Sequence, residues 1–121
     1  MAPSIRETFA GGEVEQIILK TELIVSRVFS RIEGVIGRGK SGISGRFFTT
    51  ESISSSEEAI KVLALNPEFN EALFMGKAVI PKGSTIYIGK AAALFGQPGG
   101  GVQIFVDDVS NIAFYGIKPL K

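Results

Sequence analysis

The 121-residue sequence contains no cysteine, no histidine and no tryptophan. Without cysteine there is no disulfide, no thiolate metal site and no cysteine nucleophile. Without histidine the commonest general base and the commonest metal ligand are missing, and a Ser-His-Asp triad cannot be built. An excess of one charge is lacking too: 13 Lys and Arg stand against 12 Asp and Glu, a net +1. The basic residues form no run, whereas a general nucleic-acid binder shows a basic stripe, so nucleic acid is not an expected partner. No apolar stretch approaches the length of a membrane span, and no membrane association is expected. Any chemistry on this chain must therefore use carboxylates, Arg, Lys, Tyr, amides or the reactivity of the substrate. A substrate that already carries a good leaving group suits that restriction.

What the sequence does contain is enough apolar material, 45% of the residues, for one core. The length allows a single domain over 1–121. Residues 1–12, ending in Gly11-Gly12, are expected to be loose. Val14, Ile17 and Ile18 recur at helical spacing and predict a short helix over 13–20. Leu23 to Ser30 reads as a strand rich in β-branched residues. Residues 34–45 hold five glycines and read as a mobile loop. Arg46 to Thr50 is a short strand. Ser55 and Glu58 form a capping box ahead of the apolar stripe Ala59, Ile60, Leu63 and Ala64, a helix expected to end at Asn66-Pro67. Lys77 to Ile80 and Thr85 to Gly89 flank a turn at 81–83. A second glycine-rich loop, 94–101, precedes strands at Val102 to Val106 and Ile112 to Ile117. The fold class is α+β: a small mixed or antiparallel sheet core with one or two short helices.

Three pieces could carry chemistry. Arg27 shares a strand face with Leu23, Val25 and Phe29 by alternation. An Arg on so apolar a face either meets an anion such as a phosphate, which guanidinium binds in bidentate fashion, or sits at a strand edge beside a surface carboxylate. In Gly45-Arg46-Phe47-Phe48-Thr49-Thr50, two aromatics could stack on a planar ring and two hydroxyls could orient neighbours; the same residues also make an ordinary strand. In Phe95 to Gln103, three consecutive glycines, Gly99 to Gly101, mark a tight turn or the close approach of a ligand. Gln103 then shares a face with Phe105, opposite Val102, Ile104 and Val106. Neither the dinucleotide fingerprint G-x-G-x-x-G nor a Walker loop is present.

The order of these pieces resembles the ADP-ribosyltransferase plan: an Arg on an early strand, an aromatic-hydroxyl strand, and a Gly-rich turn running into a Gln or Glu strand. GRFFTT, the helix ending in LAL, VIPKGSTIYIGKAA and FGQPGGGVQ together look like the C-terminal toxin domains of Rhs and related polymorphic proteins, specifically the TreTu-like group. The similarity covers about residues 23–109. It implies an ADP-ribosyltransferase-like fold and use of NAD as substrate. The implied acceptor is a target-cell protein, elongation factor Tu in that group. A cognate immunity protein and delivery, secreted or injected, into the cytoplasm of a competing cell are implied as well. By this resemblance Arg27, Thr49 and Gln103 are the catalytic positions. Arg27, Phe47, Phe48, Thr50 and Gly101 would hold NAD, with Phe47 or Phe48 on the nicotinamide. One departure matters: where many such transferases carry Glu, two residues after Gln103, this chain has Phe105. Either Gln103 suffices, as in related necrotizing NAD glycohydrolases, or a carboxylate elsewhere, such as Glu51, supplies charge. NAD hydrolysis at the same site, a histidine-independent ribonuclease using Arg27, Arg46 and Lys90 on phosphate, and a non-catalytic binding module are the competing readings.

Overall fold

Residues 3–30 and 45–121 are described by a computed structural model of the chain. The stretch 34–44 of the expected mobile loop lies outside them. Among the described residues, seven strands and two α-helices follow in the order α1 (Pro3–Arg6), β1 (Glu15–Ile18), β2 (Leu23–Phe29), β3 (Phe47–Phe48), α2 (Ser56–Leu63), β4 (Phe74–Ile80), β5 (Thr85–Lys90), β6 (Val102–Val106) and β7 (Ala113–Pro119). The strands form two sheets, β1-β5-β6-β3 and β2-β4-β7, with antiparallel pairing throughout. This is the α+β class expected from the sequence, in its antiparallel form.

The β-branched run of β2 pairs along its whole length with β4, from Leu23 opposite Ile80 to Phe29 opposite Phe74. Val25, Ile80, Ile86, Ile104 and Val106 are each nearly solvent-free and form a core between the sheets. A smaller core under α2 contains Val28, Ile53, Ala59 and Met75. Helix α2 begins as its sequence dictates: Ser55 Oγ accepts from the Glu58 backbone N–H at 3.1 Å. The reciprocal bond is shifted by one residue, because the Glu58 carboxylate accepts from the backbone N–H of Ser54. The helix ends earlier than Asn66-Pro67, on Ala64 in a left-handed conformation (φ 49°), whose N–H closes onto Ile60 and Lys61.

Two expectations fail. The predicted helix over 13–20 is instead strand β1, with Glu15 to Ile18 paired to Ile88 to Thr85 of β5. The β-branched pair Ile17-Ile18 fits the open edge of β5; Ile17 packs on the core while Ile18 stays 65% exposed. Residues 3–12 are not loose either. Phe9 is 1% exposed and bridges to Ala91, and Gly89 is the position that admits it, since a β-carbon there would strike the Phe9 ring. One buried phenyl ring therefore anchors a segment whose glycines suggested looseness.

Candidate functional site

The site lies where the two sheets meet. Ser26 on β2 and Thr49 beside β3 exchange both backbone hydrogen bonds, at 2.8 and 2.9 Å. Through β3–β6 pairing, Phe48 opposite Ile104, this bridge sets Arg27 and Gln103 around one depression. The resulting cavity holds about 260 Å³. That is slightly under the roughly 300–1,000 Å³ of most small-molecule sites, so a large ligand would enter by one end. Its polar lining includes Arg27, Thr49 and Gln103; Phe47 and Phe48 contribute on the β3 side, and Leu63, Leu65, Leu94 and Phe95 on the side of α2 and the glycine loop.

Arg27 is 6% exposed. Its Nη1 donates to the Phe47 carbonyl at 3.1 Å, and its guanidinium lies against Gly45, where a β-carbon would overlap it. Burial depresses its pKa to about 10, since desolvation penalises the charged form. It nevertheless remains a cation at neutral pH. Gln103, 7% exposed, points into the same cavity. Its Nε2 donates to Thr8 Oγ1 at 2.7 Å and to the Thr8 carbonyl at 3.3 Å.

The other expected site residues divide into groups. Phe47 is half-buried, with its ring centroid 5.2 Å from that of Phe105. Phe48 is 3% exposed and belongs to the main core, stacked on Phe114, so its ring is far less available to a ligand. The Thr49 hydroxyl donates to the Val102 carbonyl at 2.6 Å and accepts from the Glu51 N–H at 3.0 Å. Thr50 is exposed and does not line the cavity. Gly101 does not line it either: its N–H donates to the Val62 carbonyl, and a β-carbon would collide with Val62. Gly99 similarly donates to the Lys61 carbonyl. The glycine run thus closes on the C-terminal turn of α2, whose carbonyls need donors, and on the backbone of Ala91 and Ala92. Glu51, the carboxylate considered as a source of charge, accepts from the Val102 N–H at 2.7 Å and does not line the cavity. Among the described residues no group of three His, Cys, Asp or Glu could hold a metal ion.

Thr8 and the Asn66–Asn70 wall are the parts that sequence reasoning missed. Thr8 is 95 residues from Gln103, and nothing local marks it. Asn70 could have been suspected from its position just after Asn66-Pro67. Its side chain ties the segment to β2, donating to the Val28 carbonyl at 3.0 Å and accepting from Ser30 Oγ and the Ala72 N–H.

No protein-family model matches the chain, and no curated protein matches it. Among solved structures, its fold is similar to that of Tne2, determined in complex with Tni2. The TM-score is 0.75, with 19% identity over 89% of this chain and 92% of that chain. At that identity the likeness is one of fold. No described helix is long and apolar enough to cross a membrane.

Proposed function

We propose that the chain is a toxin domain that consumes NAD by hydrolysing its nicotinamide–ribose bond. The observation that carries this reading is the convergence of Arg27, Phe47 and Gln103 on one cavity whose lining, among the described residues, contains no carboxylate.

Nicotinamide in NAD is a cationic N-glycoside. When the C1′–N bond breaks, its electron pair returns to the pyridinium ring, and the leaving group departs neutral without a general acid. The ribose is left as an oxocarbenium ion, water adds at C1′, and one proton is released with ADP-ribose. A site without histidine, and with no carboxylate in its lining among the described residues, suits a reaction of this kind. Phe47 offers an aromatic face to nicotinamide, Arg27 a buried cation to the pyrophosphate, and Gln103 an amide to the ribose. The cavity size favours entry of the nicotinamide riboside end. Transfer to a protein, as in the ADP-ribosyltransferases that the sequence resembles, begins with the same bond cleavage. It further requires an acceptor side chain to reach and be activated at the cavity floor, where water needs only space. The likeness to a protein solved with a bound partner, together with the sequence resemblance to polymorphic toxins, supports a dedicated immunity protein that covers this mouth. The sequence resemblance further implies delivery into the cytoplasm of a target cell, where NAD is abundant.

The test is incubation of the purified chain with adenine-labelled NAD. Nicotinamide and free ADP-ribose should appear in equal amounts. Label on a protein of a bacterial lysate, including elongation factor Tu, would replace hydrolysis by transfer. RNA degradation with NAD untouched would overturn both.

A further inference from the structure

The side-chain amide of Gln103 is held in one orientation by a residue from the far end of the chain. Thr8 Oγ1 donates its single proton to the Ile5 carbonyl at 2.6 Å, so toward Gln103 it can act only as an acceptor. The Thr8 carbonyl is an acceptor by nature. Both face Gln103, at 2.7 and 3.3 Å, so the atom between them must be the amide nitrogen. A flipped amide would set Oε1 against two acceptors. Oε1 is left with no hydrogen bond among the described residues, in a side chain only 7% exposed that lines the cavity. A buried carbonyl oxygen without a donor is a standing cost, unless a ligand brings the donor.

We infer that Thr8 is a positioning residue: it commits the nitrogen of Gln103 and leaves Oε1 as an acceptor for a hydroxyl of the substrate's ribose. The inference rests on reading the cavity as an NAD site. Thr8 is itself firmly placed. Its carbonyl also accepts from the Ala92 N–H at 2.9 Å, and the adjacent Phe9 is buried and bridged to Ala91. The directed chain from Gln103 through Thr8 to Ile5 therefore ends on backbone that the core fixes. Substrate recognition at Gln103 becomes a matter of polarity: a hydroxyl donor is accepted, and an acceptor-only group is not.

Thr8→Val keeps the shape and the backbone bridge but removes the hydroxyl, whereas Thr8→Ser keeps the hydroxyl. The first readout is the side-chain amide of Gln103 in nitrogen-15 NMR spectra, with no substrate present. Its protons should exchange slowly in the wild type and in Thr8→Ser, and quickly in Thr8→Val. The second readout is NAD hydrolysis. Thr8→Val should lower kcat/KM by about 10- to 100-fold, the usual loss when a group that orients an active residue is removed, and Thr8→Ser should recover most of it. Unprotected Gln103 amide protons in the wild type, or equal protection in Thr8→Val, would overturn the inference. So would wild-type kcat/KM in a folded Thr8→Val variant. If the wild type does not consume NAD, the proposed function fails by itself. The exchange measurement then still decides whether Thr8 orients Gln103.

Discussion

Ser26 and Thr49 each donate a backbone hydrogen bond to the other, and this bridge joins the edge of the β2-β4-β7 sheet to the edge of the β1-β5-β6-β3 sheet. The next residue along β2 is Arg27, and Thr49 is tied by its hydroxyl to Val102, the neighbour of Gln103. The junction of the sheets is consequently where cation and amide meet.

Burial of the Arg27 guanidinium costs stability. Its folded-state pKa, lowered to about 10, means that burial disfavours the charged form. That cost is present at every pH below about 10 and is relieved only as pH rises beyond it, where the unfolded chain holds the proton longer. Arg27→Met should therefore melt no lower than the wild type. It should weaken NAD binding by about 2–5 kcal/mol, as expected when one partner of a desolvated charge pair is removed. Wild-type affinity should be flat between about pH 6 and 9, because the guanidinium stays charged there. Calorimetric titration and thermal melts check both parts; unchanged affinity in a folded Arg27→Met protein would remove Arg27 from the site.

Gly45 makes room for that guanidinium. Gly45→Ala puts a β-carbon where the Arg27 side chain lies, so Arg27 must move. Activity should fall by about 10-fold or more, because a small misplacement of a positioning group is costly to turnover. The far-ultraviolet circular dichroism spectrum should be unchanged. Full turnover in Gly45→Ala would show that the placement of Arg27 is not critical.

Gln103→Glu offers a carboxylate to the two oxygens of Thr8, neither of which has a proton for it as the bonds are arranged. The substitution should lose activity by roughly 100-fold despite placing a carboxylate on this strand. Its carboxyl should titrate above the ordinary Glu range, near 4.3, because burial and facing acceptors disfavour the charge. Retained or raised NAD cleavage in this variant would mean that charge at 103, and not amide orientation, limits the reaction.

Glu51 is a structural carboxylate. Glu51→Gln retains an acceptor for the Val102 N–H and should change neither turnover nor stability appreciably. Glu51→Ala leaves that N–H without its partner and should cost about 1–3 kcal/mol in urea unfolding. A large drop in kcat for Glu51→Gln at native stability would return this residue to the chemistry.

Patterns that repeat over a few residues were enough to specify β2, β6, the Ser55 cap and the α+β class, because strand alternation and capping are local. The gathering of Arg27, Phe47 and Gln103 could be expected from the order of segments, although not from their spacing. The sequence misled where a short segment has no preference of its own. Val14-Ile17-Ile18 fits helix or strand equally well until β5 presents an open edge, and Phe9 gives no sign of order until Gly89 opens a place for its ring. The glycine run was legible as a tight turn, but only the folded chain shows that it closes on the end of α2 and on Ala91 and Ala92. The clearest case is Thr8. No periodicity links a hydroxyl at the start of the chain to an amide 95 residues later. The sequence by itself determined which groups are available, an Arg, an amide and aromatic rings without histidine or cysteine. The tertiary structure alone decided which way the amide points, because hydrogen-bond polarity depends on neighbours that only packing brings into reach.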